Sequence, residues 1–275
     1  MEPYDFRRVS VTGLGTAFGR GEYTAIPWAK EILDVLRQRG AILPAAPWTN
    51  DARAFAPFLD ARFRAVARLL EEKNATQVLE LAAGLSPRGI QLAPRGVVYV
   101  EVDLADSITM KREVVTAVLG SVPPSLHLSA ASVVDRAQLL ACCTPFDTGQ
   151  PVAVTTEGLL RYLTFEEKTH LAETVREILL RYGGWWITPD IHLKSWARRQ
   201  TAAHLQRELE TLGRSLDSNY FADLDHARQF FEDCDFAVDS RPLLEGIRDQ
   251  LAIQPSGEQV AELNDRRVFV LTPKP

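Results

Sequence analysis

The sequence predicts an α/β fold: a doubly wound, mostly parallel sheet of seven strands, with helices ahead of it and a helical insertion within it. Three observations predict this. From Gln77 onward, seven short apolar runs alternate with helical patterns, as successive βαβ units do. The linking helices carry start and stop signals. And 275 residues, 46% of them hydrophobic, suffice for one enlarged domain with a sizeable core.

The first ten residues, MEPYDFRRVS, are polar and lack the apolar stretch of a secretory signal. Residues 29–39, AKEILDVLRQR, set Ala29, Ile32, Leu33 and Leu36 on one helical face. Arg37 and Arg39 fall in its last turn and Gly40 is the stop. AILPAAPWTNDARAFAP (41–57), rich in Pro and small residues, reads as a connector. Helical spacing resumes over 58–72 through Leu59, Phe63, Val66 and Leu70. These pieces predict an N-terminal helical cap over 1–56 and a main domain over 57–275.

The predicted strands are VLELA (78–82), VVYVEVD (97–103), LHLSA (126–130), VAVTT (152–156), WWITP (185–189), FAVDS (236–240) and VFVLT (268–272). Helices are expected over 107–119, 165–182 and 196–213. Thr164 and Glu167 form a capping-box pair at the start of the second of these, and Gly183-Gly184 ends it. Trp185 and Trp186 alternate along their strand, so at least one belongs to the core. The stretch 191–232 is long for a simple crossover and reads as a helical insertion.

Composition excludes several classes. Net charge is −5, from 31 basic and 36 acidic residues, with no dense basic patch to meet nucleic acid. No apolar run reaches the 18 or so residues of a membrane span. The three cysteines, Cys142, Cys143 and Cys234, lack metal-ligand spacing and suit free thiols in the cytoplasm. Cys142 and Cys143 read as packing inside a helix, and no metal site is expected.

In such a sheet ligands bind beyond the carboxyl ends of the strands. After the first strand comes Glu80-Leu81-Ala82-Ala83-Gly84-Leu85-Ser86-Pro87-Arg88-Gly89. Gly84 can turn tightly, and Ser86-Pro87 reads as an N-cap and first helical residue. The glycine triplet of dinucleotide sites and the phosphate-loop signature are both missing, so the turn suits an adenosine without phosphates. Asp103 ends the second strand, placed either to accept hydrogen bonds from ribose hydroxyls or to cap the next helix, a role open also to Asp106 or Ser107. Glu157, after the fourth strand, faces the crevice, where it can meet a cationic ligand group. Asp190 and His192 reach the same edge after the fifth.

Taken in order, ELAAGLSPRG (80–89), YVEVDL (99–104) with Lys111-Arg112, TEGLLRYL (156–163) and GGWWITPDI (183–191) resemble the leucine carboxyl methyltransferase-like family. That family belongs to the class I, Rossmann-like, S-adenosylmethionine-dependent methyltransferases. The resemblance covers about residues 60–190. It implies a seven-stranded sheet whose last strand is antiparallel, helical additions forming a lid, and S-adenosylmethionine as cofactor. It also implies methyl transfer to the carboxylate or hydroxyl oxygen of a small molecule or a peptide C-terminus.

By the same resemblance, Arg62 in DARFRA matches the basic residue that holds the methionine carboxylate, and Gly84 with its neighbours Glu80 and Ala82 lines the cofactor. Asp103 matches the ribose acid, Ser132 and Val133 in SAASVVD fall at the adenine, and Glu157 matches an acid beside the amino-acid end. Arg20 lies near another basic position of the N-terminal region. Ala82 and Ser132 depart from the family pattern, which has a glycine at the first position and, in some relatives, Asp or Asn at the second. A carboxylate acceptor would need no base, being ionised near neutral pH. For a hydroxyl acceptor, His192 is the candidate base, the alternative being a surface residue on the insertion's first turn; Asp190 is its orienter or substitute, and Tyr162 either lines the substrate mouth or packs. Two other readings are a nicotinamide-dependent oxidoreductase, which the missing glycine triplet disfavours, and a cofactor-binding subunit without catalysis.

Overall fold

The computed structural model of the chain describes residues 11–41, 47–195 and 219–275. Strands covered on both faces need no polar alternation, and the middle of the sheet follows that rule. β1 (Gln77–Leu81) and β4 (Val152–Thr156) are buried at every position. β2 (Val98–Asp103), β3 (Leu126–Ala130) and β5 (Gly184–Thr188) complete the parallel part. β6 (Phe236–Pro242) and β7 (Arg267–Pro273) close the seven-stranded order β3-β2-β1-β4-β5-β7-β6. β7 runs antiparallel to both β5 and β6. All seven expected strands are present, displaced by no more than two residues at either end.

Because side chains alternate along a strand, neighbours such as Val78 and Leu79 enter opposite cores. One face is covered by α1 (Val11–Tyr23), α2 (Ala29–Gln38), α3 (Pro47–Glu72) and α5 (Ala105–Leu119). There Leu36, Val66 and Val115 meet Val78, Tyr99 and Val268. The other is covered by α6 (Arg136–Ala141), α7 (Phe165–Tyr182) and α8 (Leu224–Asp233). There Leu139, Leu171 and Phe231 meet Leu79, Val154 and Trp186. Between β1 and β2 lies the short α4 (Arg88–Leu92), and α9 (Gly257–Asp265) precedes β7.

Several expectations are corrected. The connector expected over 41–57 is helical from Pro47, and Pro57 lies inside α3. A proline costs a helix one N–H bond and a kink, and the buried residues that follow it, Phe58, Leu59, Ala61 and Phe63, more than offset that loss. The expected boundary at 56/57 therefore falls within a helix. Residues 11–23 form α1, which the sequence reading passed over because its glycines mask the spacing of Leu14, Ala17 and Phe18, all buried.

α5 begins at Ala105, and its N-cap Leu104 has no side-chain bond, so neither Ser107, Asp106 nor Asp103 caps it. α4 starts at Arg88, one residue after Pro87, while Ser86 Oγ accepts a long 3.4 Å bond from the Arg88 N–H. Cys142 and Cys143 lie just beyond α6, the first half-buried and the second buried. Of the tryptophans Trp186 is the core residue, and Trp185 carries the Lys73 ammonium over its ring. The capping box of α7 is present, and Gly183 ends that helix. The helix expected over 196–213 lies outside the described residues.

Candidate functional site

The strand order reverses between β1 and β4, and in open sheets of this kind the crevice that takes ligands lies beyond the carboxyl ends at that point. The chain leaves β1 through two residues with left-handed backbone, Ala82 at φ 51° and Gly84 at φ 50°. The turn is tied to β2: Ala83 N–H donates to the Val102 carbonyl at 3.2 Å, and Gly84 N–H to Asp103 Oδ2 at 2.7 Å. Asp103 Oδ1 accepts from Leu104 N–H at 2.7 Å. A Cβ on Gly84 would meet nothing within 4 Å, so glycine serves the backbone angle there and the space beside it is open. Leu104, 63% exposed, stands next to Asp103. Ser132 and Val133 follow β3 at the same edge; Ser132 N–H donates to Gln138 Oε1 at 3.1 Å, and Val133 packs partly against the core.

A cluster of buried charge lies under the crevice. Glu157 follows β4, with its side chain 3% exposed. Its Oε1 accepts from Arg20 of α1, and its Oε2 accepts from Arg88 Nη2 at 2.8 Å. Arg62 Nη2 of α3 approaches Oε1 to 3.5 Å. Burial pushes the Glu157 carboxyl up, but Arg20, Arg62 and Arg88 together pull it further down, to about 2. Arg88 also reaches Glu80, whose second oxygen accepts from the Tyr99 hydroxyl at 2.7 Å. Glu80 is thus 1% exposed beneath the turn. Burial lowers the Arg62 pKa against the pull of Glu157 and Asp190. Its Nε and that of Arg20 are buried without a hydrogen-bond partner. The Arg62 and Arg266 guanidinium groups sit 4.8 and 4.1 Å from the centroid of the Phe58 ring.

The third group follows β5. Asp190 accepts from three backbone N–H groups of the segment leaving β4: Gly158 at 2.5 Å, Leu159 at 2.7 Å and Leu160 at 3.2 Å. Burial opposes its ionisation, but His192, Arg62 and the Gly158 N–H hold its carboxyl far below the usual range. His192 Nε2 stands 3.8 Å from Asp190 Oδ1, is buried, and has no hydrogen-bond partner. Burial first, then Arg161, pushes His192 down to about 3, so the imidazole is neutral at pH 7. Its ring lies 5.5 Å from that of Tyr220, whose hydroxyl accepts from Arg161 Nη2 at 2.8 Å. Tyr162, half-buried, ends a 3₁₀ turn over Leu160–Tyr162.

The predicted residues therefore converge on one edge of the sheet, but with altered neighbours. Glu157, expected to meet a cationic ligand group, has each carboxylate oxygen on an arginine of its own chain. Asp190 spends its lone pairs on the backbone. Sequence reasoning missed Arg88, Arg161 and Arg266. For Arg88 a signal existed, since it stands at the start of the helix after the first turn. Arg266 carried none. Among the described residues no group of three or more His, Cys, Asp or Glu side chains could hold a metal, and no helix is long and apolar enough to cross a membrane.

Comparison with known proteins gives a consistent picture. The leucine carboxyl methyltransferase family model matches residues 36–176. A Frankia alni protein, classed by its name with the S-adenosyl-L-methionine-dependent methyltransferases, is 35% identical over 113 residues, 40% of this chain and 37% of that protein. One of Mycobacterium avium, classed the same way, is 36% identical over 104 residues, 37% of this chain and 33% of its own. The match thus spans about a third of each relative's length. Among solved structures, magnesium protoporphyrin IX methyltransferase of Synechocystis, with bound S-adenosylhomocysteine, has a TM-score of 0.51 at 10% identity, covering 98% of this chain and 96% of that one. A Nostoc punctiforme protein classed as an O-methyltransferase has a TM-score of 0.50 at 18% identity, covering 95% and 68%. At such identities these two show the shared fold.

Proposed function

The chain belongs to the leucine carboxyl methyltransferase family, and on that footing we propose that it is an S-adenosylmethionine-dependent O-methyltransferase. Its acceptor is an oxygen nucleophile of a small molecule or a peptide C-terminus. The main support is the convergence, at the carboxyl ends of β1, β2 and β4, of an open turn, a ribose-type acid and buried arginines with unpartnered nitrogens. Those residues fit the cofactor. Arg62 and Arg20 would hold its carboxylate, and Asp103 the ribose hydroxyls. Gly84 and Ala82 would line it, Ser132 and Val133 would take the adenine, and Leu104 would pack on the ring. Glu80 and Glu157 act one step back, by fixing Arg88, Arg20 and Arg62.

When bound, the cofactor supplies a methyl group activated by its sulfonium. The chain's own contribution is alignment and charge. Between the two acceptor chemistries, the site favours a carboxylate. A hydroxyl needs a base, and an imidazole pushed down to about 3 is a weak one. Asp190 is weaker still, with its oxygens engaged by three N–H groups. A carboxylate arrives already ionised, and Arg161 and Arg266, whose charges act on His192, would attract one beside that imidazole. On this reading His192 and Tyr162 line the acceptor space, with Asp190 holding the turn beside them. Free thiols and the lack of a dense basic patch fit a cytoplasmic enzyme with a small-molecule or peptide acceptor rather than nucleic acid.

Thermal unfolding with S-adenosylhomocysteine tests the proposal. Saturation at about 100 times the dissociation constant contributes about 2.7 kcal/mol, a rise of about 5–10 °C in Tm for a chain of this size. Asp103→Ala should lose most of that rise. A folded wild-type protein that shows no shift at millimolar ligand would sink the assignment.

A further inference from the structure

We propose that Lys111 of α5, held by Glu101 of β2, is a positioning residue for the Gly84–Gly89 turn and so sets cofactor affinity without touching the cofactor. The proposal rests on the methyltransferase reading. Lys111 and Glu101 side chains are 0% exposed, with Nζ 2.7 Å from Oε2. The same ammonium donates to the Ser86 carbonyl, at the centre of the turn. At the far end of the turn Gly89 rests on the acid: a Cβ there would lie 2.2 Å from Glu101 Oε1. A side chain at 89 would have to displace that carboxylate or lift the turn away from it.

Packing alone does not explain a lysine here. Its helical neighbours Ile108, Met110, Val114 and Val115 are buried apolar residues, and an apolar side chain at 111 would complete that face. A buried ion pair adds little stability over such a replacement. Burial moreover pushes the Glu101 carboxyl up to about 7 even beside the ammonium, so burying this pair carries a desolvation cost that packing alone would avoid. What the lysine supplies, and a methionine could not, is a donor aimed at Ser86.

The consequence reaches the charge cluster. α4 has no side-chain cap, and its first residue is Arg88. Ser86 stands two residues before Arg88, so fixing its carbonyl fixes where the Arg88 guanidinium emerges between Glu80 and Glu157. Glu157 in turn receives Arg20 and Arg62. One hydrogen bond from α5 thereby orients the Gly84 turn and the arginines together.

The experiment is isothermal calorimetry with S-adenosylhomocysteine on wild-type protein, Lys111→Met and Glu101→Gln. Misplacement of a binding turn by a fraction of an ångström should raise the dissociation constant about tenfold in Lys111→Met and about threefold in Glu101→Gln. The binding stoichiometry should stay near that of wild type. A purely structural role would lower the stoichiometry, as molecules unfold, and leave the dissociation constant of the folded fraction unchanged. That result in either variant overturns the proposal. Glu101→Gln, which keeps shape and volume, provides the measurement should Lys111→Met not fold. Absence of binding by the wild-type protein would instead refute the methyltransferase reading itself.

Discussion

Replacing Glu157 by Gln preserves shape while removing the charge that three arginines surround. In the folded protein the Glu157 carboxyl titrates at about 2, against 4.5 for the free group. That difference is worth about 3 kcal/mol at neutral pH, at 1.36 kcal/mol for each pH unit. The sign follows from the depressed value. The stabilisation is complete above the unfolded pKa and is lost as pH falls through 4.5 toward 2. The gap between wild type and Glu157→Gln should therefore be about 3 kcal/mol at pH 7 and about 2 kcal/mol at pH 3.5. Urea unfolding at the two pH values, read by tryptophan fluorescence, measures both gaps. Because Arg20 connects α1 to the sheet only through this carboxylate among the described ion pairs, amide hydrogen exchange in residues 11–23 should also quicken. A gap under 1 kcal/mol at pH 7, or one that does not shrink on acidification, would refute the view that the arginines are held by this charge.

Two further substitutions test the supports around it. Asp190→Asn should cost about 2–4 kcal/mol in urea unfolding, because three backbone N–H groups lose a charged acceptor in a buried site; a loss below 0.5 kcal/mol would contradict that role. Tyr99→Phe removes the hydroxyl that donates to Glu80 and should cost about 1–3 kcal/mol, with Arg88 still in place. An unchanged unfolding midpoint would show that Glu80 is satisfied by Arg88 alone.

The strands were legible because a strand covered on both faces must be apolar at successive positions, and VLELA, VAVTT and VFVLT are nearly so. That Asp103 and Glu157 stand at strand ends was legible in the same way, but that Glu157 is buried there with both oxygens on arginines was not. The N-terminal helices were legible only in part. α2 carries four apolar residues on one face, whereas α1 is diluted by glycine and α3 runs through Pro57. Local pattern underrates both, since tertiary contacts stabilise them.

Buried charge was beyond reach. Pattern reading assigns Lys and Arg to solvent, yet Arg20, Arg62, Arg88, Lys111 and Arg266 are all buried. Glu157, the partner that ties the site's arginines together, lies far along the chain, 137 residues from Arg20 and 69 from Arg88. The sequence by itself determined the sheet and its order of elements, because these follow from short-range alternation and from strand ends. Only the tertiary structure decided which charges pair there and in what state of ionisation. A charge out of water is governed by partners a few ångströms away, and distance along the chain carries no information about those.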